Sequence, residues 1–148
     1  MAVIGFKFDT IHIEKKAVPS GEISISNNVK LTEISEAKIN VGGEHKALKV
    51  DFEYMVNYKP DIGDLKLTGN LVYMDEKQKQ DAVLKAWKEK KVLDNKFSLS
   101  VTNKILSKCN IKAIELCSEV NLPSHISLPV AKSTKPVSSK PNPNNYIG

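Results

Sequence analysis

The fold is decided by residues 48–74, which read LKVDFEYMVNYKPDIGDLKLTGNLVYM. Apolar and polar side chains alternate over 48–58, with Met55 as the exception, and a period of two predicts a β-strand with one buried face. Residues 60–63 carry the Pro and Gly typical of a turn, and the alternation resumes over 65–73. The stretch therefore predicts a long antiparallel hairpin. Its apolar face needs a partner, because an isolated hairpin is marginally stable in water.

The residues before the hairpin predict two more strands. Residues 3–16 alternate, but their apolar phase switches after Asp9, which indicates a bulge or bend. A second alternating segment covers 23–39. Four consecutive strands with short connections most simply predict an antiparallel meander.

The residues after Met74 predict two helices. We expect Asp75 to cap a short helix that runs to about Lys91, and Asp94 or Asn95 to begin a longer helix that Pro123 ends. The fold class is thus α+β, a four-stranded antiparallel sheet with a short and a long helix on one side. Apolar residues of the long helix cover a wide arc, which suggests a second subunit as partner. The residues expected at this oligomer interface are Val101, Ile105, Cys109, Ala113, Leu116 and Cys117.

Length and composition indicate one domain over residues 1–130 and a disordered tail rich in Lys, Pro, Ser and Asn over 131–148. The formal net charge is +5, and all 22 basic residues are lysine. Arginine supplies the planar fork that reads phosphate and guanine, so its absence argues against a nucleic-acid partner. The lysines of the short helix are interpreted as its solvated face.

Cys109 and Cys117 lie eight positions apart in a helical pattern, about 12 Å along the axis, too far for a disulfide. Free thiols fit a reducing compartment, and no leader peptide or membrane-spanning run is visible. The sequence therefore predicts a cytoplasmic protein.

No pattern in the chain assembles a catalytic centre. His12, His45 and His125 have no metal-ligand spacing, and the Gly-Gly loop at 42–46 lacks the ending of a phosphate loop. We expect no metal, no cofactor and no enzymatic activity.

The order of four strands, short helix, long helix and extended Leu/Pro segment resembles the SecB export chaperones. The stretches that carry the resemblance are the hairpin, FSLSVTNKILSKC at 97–109 and VNLPSHISLPV at 120–130. The resemblance implies an ATP-independent holdase that binds unfolded polypeptides in apolar grooves. It also implies a homo-oligomer, a dimer of dimers with the long helices between the sheets. Two features depart from the family: its C-terminal helix is replaced by the basic tail, and its acidic sheet surface carries interspersed lysines here.

Apolar and aromatic residues beside the expected helix–sheet junction are the candidates for client binding. They are Phe52, Tyr54, Tyr58, Met74, Trp87, Leu122, Ile126 and Leu128. The alternative is a non-enzymatic adaptor or structural subunit whose apolar surface is covered by one dedicated protein partner.

Overall fold

The predicted hairpin forms the two central strands of a four-stranded antiparallel sheet. The computed structural model describes residues 2–134. Its strands are β1 (Ala2–Lys15), β2 (Ser24–Asn40), β3 (Glu44–Lys59) and β4 (Gly63–Met74). Every second side chain of β3 from Leu48 to Tyr58 is buried, and Met55 lies half-buried on the opposite face, so the predicted alternation is confirmed.

The predicted meander is wrong in its strand order. The order across the sheet is β1-β4-β3-β2, so β1 pairs with β4 and β2 forms the opposite edge. The connection between β1 and β2 therefore crosses two strands, and the N–H groups of Lys16 and Ala17 donate to the carbonyl of Ile62 on the way. This is a Greek key followed in the reverse direction. Alternation reveals which face of a strand is buried, but it does not reveal which strand lies beside it.

Gly69 explains the close pairing of β1 with β4. It lies opposite Phe8 on one side and Phe52 on the other. A Cβ at this position would collide with the carbonyl oxygen of Lys7 and would come within 2.9 Å of the Phe52 ring. The missing side chain lets Phe6 stack on Phe52 with ring centroids 5.2 Å apart. Aromatic side chains of both neighbouring strands thus cover the glycine.

The phase switch in β1 corresponds to a break in its pairing with β4. The register shifts between Phe8 and Thr10, which confirms the irregularity predicted at Asp9. The Asp9 carboxylate accepts a hydrogen bond of 3.1 Å from the side-chain amide of Asn70 on β4.

Two helices lie on the buried face of the sheet, α1 (Lys77–Lys90) and α2 (Asn95–Glu119). Asp94 caps α2 as predicted, and its carboxylate accepts from the N–H of Phe97 at 3.3 Å. The predicted cap of α1 is wrong by one residue, because Glu76 is the N-cap residue. The Asp75 carboxylate instead accepts from the N–H of Glu76 at 2.8 Å.

The apolar stripe of α2 packs on the sheet of the same chain. Val101, Ile105, Cys109, Ala113 and Cys117 recur every four residues, and all are fully buried. Four residues turn a helix about 40° past a full revolution, so the stripe drifts around the helix as it advances. A drifting stripe can follow a twisted sheet along its whole length. Because of this drift, the apolar residues of α2 cover a wide arc when they are viewed along the helix axis. The expectation that a second subunit packs on this arc rested on that width.

The other face of the sheet is polar. Lys66 forms an ion pair with Glu53 across β3 and β4 at 3.2 Å, and Lys49 pairs with Asp51 at 3.6 Å. Most of the tail predicted to be disordered, from residue 135 onward, lies outside the described residues.

Candidate functional site

An apolar groove of about 740 Å³ lies between α1, the first turn of α2 and the adjoining ends of β3 and β4. We call it the α1–α2 groove. It is lined by Leu48, Tyr73, Asp75, Lys79, Gln80, Ala82, Val83, Ala86, Asp94, Lys96, Phe97 and Ser100. A volume of this size is typical of a preformed binding site.

The groove exists because α1 presents small side chains toward α2. Ala82 and Ala86 line the α1 side, where larger residues would close the gap. Gln80 anchors the start of α1, since its side-chain amide donates to the carbonyls of Asp75 at 2.7 Å and Lys46 at 3.3 Å. The helix is thus fixed in position while its alanines leave the space open.

Trp87 anchors the other end of α1 to strand β2. Its indole N–H donates to the Glu33 carboxylate at 2.8 Å, and the Lys91 ammonium lies 4.5 Å from the ring centroid. The hydrogen bond from Trp87, with a second from the N–H of Ile34, lowers the pKa of Glu33 below its ordinary value. Trp87 is buried and does not line the groove, so its role is to fix the end of α1.

The floor of the groove is aromatic and aliphatic. Tyr73 and Phe97 meet edge to face with ring centroids 5.0 Å apart, beside the buried Leu48. The Tyr73 hydroxyl donates to the Asp75 carboxylate at 3.3 Å, and burial, followed by that carboxylate, raises the pKa of Tyr73. Charged groups of both signs lie around this floor: Asp75, Lys79, Asp94 and Lys96. Such a surface can bind an apolar side chain and leave its polar flanks hydrated.

Most residues predicted to bind clients are buried in the chain. Phe52, Tyr54 and Tyr58 lie beneath α2, and Trp87 and Leu122 are also in the core. None of these five residues lines the α1–α2 groove, which corrects their expected placement. Of the remaining candidates, Met74 is half-buried, and Ile126 and Leu128 are 38% and 49% exposed.

The residues predicted at the oligomer interface are placed differently as well. Val101, Ile105, Cys109, Ala113 and Cys117 face the sheet, and Leu116 is half-buried. The exposed apolar residues of α2 are Leu99 and Ile111, at 62% and 67% exposure. A contact between copies through α2 would have to use these outer positions.

The cysteines are core residues. Burial raises the pKa of Cys109 to about 12, and burial also raises that of Cys117. Both thiols are therefore protonated at neutral pH and are poor nucleophiles in the folded chain.

The structure brings His12 and Glu14 of β1 together with Asp64 of β4 on the exposed sheet face, their ligand atoms within 4.8 Å of one another. Asp64 also pairs with Lys16 at 3.2 Å. Sequence spacing does not reveal this group, because its members come from two strands. We interpret it as a network of surface ion pairs.

Comparisons with known proteins add a distant structural neighbour. No family model matches the chain, and no curated protein matches it. Among solved structures, the Mycobacterium tuberculosis SecB-like chaperone Rv1957, in complex with a ChAD peptide from the HigA1 antitoxin, aligns with a TM-score of 0.47 and 10% identity. The alignment covers 90% of this chain and 92% of that chain. Over residues 2–134, no helix is long and apolar enough to cross a membrane.

Proposed function

We propose that the protein is an ATP-independent holdase chaperone that binds apolar segments of unfolded polypeptides in the α1–α2 groove. The observation that carries this proposal is the aromatic floor of Tyr73 and Phe97 surrounded by charges of both signs. An extended chain directs alternate side chains to opposite sides, so it can place one large apolar side chain on this floor. The neighbouring polar side chains then remain near the charged surroundings.

The expected affinity of one groove is low. Burial of one large apolar side chain contributes about 1.5–3 kcal/mol, while a dissociation constant of 1 mM already requires about 4 kcal/mol. Several grooves acting on one client raise the overall affinity through effective concentration. A holdase of this kind therefore benefits from assembly into an oligomer.

We propose a homo-oligomer, a dimer of dimers in the simplest case, in which copies meet through the outer face of α2. Leu99 and Ile111 provide exposed apolar surface on that face. We expect Leu99→Glu combined with Ile111→Glu to lower the mass measured by sedimentation. Val92→Glu, the same change at an exposed loop residue, is the control. Equal masses for all three proteins would contradict an interface at this face.

The holdase function is tested by diluting a chemically unfolded client into buffer without nucleotide and following light scattering. We expect suppression of aggregation near stoichiometric amounts. Ala86→Glu places a charged side chain in the groove and should abolish the suppression, while Ala86→Ser keeps the space open and should preserve it. Full suppression by Ala86→Glu would reject the groove as the client site.

A second candidate function is an adaptor subunit with one dedicated protein partner. The exposed Leu99 and Ile111 also suit a fixed interface. A hydrophobic dye distinguishes the two functions, because a holdase keeps the groove accessible to the dye. The amount of dye bound should then be lower for Ala86→Glu than for the unchanged protein. Dye binding that is negligible in the assembled protein favours the adaptor.

The proposed location is the cytoplasm, where the free thiols of Cys109 and Cys117 would remain reduced. A role in protein export is the form of the holdase function that the family resemblance implies. Fractionation of cells and export kinetics of a secreted client, with and without the protein, test these two points.

A further inference from the structure

The chain reverses direction after α2 and passes back over the sheet. Asn121 adopts a left-handed conformation with φ of 59°. The N–H of Leu122 donates to the carbonyl of Cys117 at 2.9 Å, and the N–H of Asn121 donates to that of Ser118 at 3.3 Å. These two bonds form a Schellman motif, which fixes the direction of the segment that follows. We call residues 123–128 the strap.

The first contact of the strap is with Tyr58. The Tyr58 hydroxyl donates to the carbonyl of Pro123 at 2.6 Å and lies 3.0 Å from the Cys117 sulfur. Burial raises the pKa of Tyr58, so the hydroxyl remains a donor throughout the neutral range.

The second contact is a polar cluster around Tyr54. The Tyr54 hydroxyl donates to Asn110 Oδ1 at 2.8 Å and lies 2.9 Å from His125 Nε2. His125 Nε2 is also 3.0 Å from Asn110 Oδ1, and the Asn27 amide donates to the Tyr54 hydroxyl at 3.2 Å. His125 of the strap is therefore held directly by residues from β3 and α2, and Asn27 of β2 bonds to the Tyr54 hydroxyl that holds it.

The strap buries little apolar surface of its own. Ile126 and Leu128 remain exposed, and the Ser124 hydroxyl bonds only to Ile126 within the strap. Nδ1 of His125 is buried without a hydrogen-bond partner, so even the main contact is incomplete. Polar contacts of this kind can be exchanged for those of water or another peptide at small net cost.

We propose that Tyr54, Tyr58 and Asn110 form a second binding surface for extended polypeptide, and that the strap is its intramolecular occupant. The chemistry of the ligand follows from the strap: an extended segment that gives a backbone carbonyl to Tyr58 and a hydrogen-bonding group to Tyr54 and Asn110. A client segment with these features displaces the strap. This inference rests on the proposed holdase function and returns the buried Tyr54 and Tyr58 to a role in client binding.

Release of the strap is measured by thiol labelling of the full chain, with mass spectrometry to separate the two cysteines. Cys117 lies beside Tyr58, whose hydroxyl also holds the strap at Pro123, whereas Cys109 lies in the middle of α2 and serves as an internal control. His125→Ala removes a contact on the strap side only, and it should accelerate labelling of Cys117 about fivefold, the effect of one net hydrogen bond on an equilibrium. Labelling of Cys109 should not change.

The control variant for this measurement is His45→Ala, which changes an exposed histidine at the start of β3. It should leave both labelling rates as they are. Equal acceleration of Cys109 and Cys117 in His125→Ala would indicate opening of the whole core, and acceleration of neither would show that the strap does not open; each result overturns the proposal.

Binding at the surface is measured with a fluorescent peptide of the sequence VNLPSHISLPV, residues 120–130, added to the full chain. We expect His125→Ala to bind this peptide about fivefold more tightly than the unchanged protein, since less strap competes. Ala86→Glu should not alter this affinity. The second binding surface would be rejected if the unchanged protein and His125→Ala bound the peptide with equal affinity, or if His125→Ala did not bind it.

The two proposals fail in different ways. Loss of aggregation suppression with intact peptide binding rejects the holdase function and leaves the strap surface in place. Intact suppression without peptide binding rejects the strap surface alone.

Discussion

The apolar face of the sheet is covered to different degrees at the two ends of α2. At the first turn, Phe97 borders an open groove, because Ala82 and Ala86 leave space among the residues that α1 contributes there. At the last turn, Cys117 is buried against Tyr58, whose hydroxyl also bonds to the first residue of the strap. Which part of the apolar face is accessible therefore depends on the segment that packs over it, not on the apolar pattern of the sheet.

The largest expected effect comes from removing a large side chain from the core on which both ends of α2 depend. Phe52→Ala should lower the free energy of unfolding by about 3–5 kcal/mol, because it deletes a buried ring that stacks on Phe6. Urea denaturation measures the loss. Met55→Ala, on the opposite face of the same strand, should cost less than half as much, and equal losses would contradict a core on one face only.

Tyr58→Phe tests the covered end of α2. The change removes the donor to the Pro123 carbonyl and should lower the unfolding free energy by about 0.5–1.5 kcal/mol, the net contribution of one hydrogen bond to a partly buried acceptor. Tyr73→Phe is the matched change at the open groove, where the longer bond to Asp75 predicts a smaller loss. A larger loss for Tyr73→Phe would reverse the comparison.

The pH dependence of stability tests His125 at the covered end. Burial lowers the pKa of His125 below its ordinary value of 6.5, and its hydrogen-bond neighbours are the neutral Tyr54 and Asn110. The unfolded chain therefore binds the proton more readily than the folded chain. The contribution of His125 should be complete well above pH 6.5 and should be lost as the pH falls from 6.5 toward the lower folded pKa.

Urea midpoints at several pH values, compared between the unchanged protein and His125→Gln, measure this dependence. The acid-induced loss should be smaller in His125→Gln, while His12→Gln should keep it. If His125→Gln lost as much stability at acid pH as the unchanged protein, the loss would come from other titrating groups.

The smallest effect is expected on the polar face, far from either end. Lys66→Ala removes an ion pair with Glu53 between partly exposed side chains and should change stability by about 0–1 kcal/mol, less at high salt. Urea denaturation at two salt concentrations measures it. A loss of unfolding free energy as large as that of Phe52→Ala would contradict a weak contribution from this partly exposed ion pair.

Features that depend on short-range pattern could be predicted from the sequence. The buried face of 48–58, the irregularity at Asp9 and the cap at Asp94 each follow from neighbouring residues, and each is found in the structure. The strand order could not be predicted, because β1 and β4 pair although β2 and β3 lie between them in the sequence. Gly69 indicates the contact only once Phe8 and Phe52 are known to flank it.

The candidate site was harder to predict because it depends on small side chains and on which segments cover the apolar face. Alternation correctly identifies Tyr54 and Tyr58 as apolar-face residues, but it does not reveal that α2 and the strap cover them. The groove depends on Ala82 and Ala86, whose lack of bulk gives no signal in an apolar pattern. His125 meets Tyr54 and Asn110 through a chain reversal at one residue, Asn121, which has a left-handed conformation.

The four-residue spacing along α2 has a consequence for how this chain can change in evolution. Substitutions on the outer side of the helix leave the fold of a single chain intact, since that side does not touch the sheet. Insertion or deletion of one residue between Val101 and Cys117 would rotate everything beyond it by about 100°, directing polar side chains into the core. The length of α2 is therefore fixed even where its composition is free. By contrast, the turn between β2 and β3, at Val41 and the two glycines that follow, can gain or lose residues at little cost.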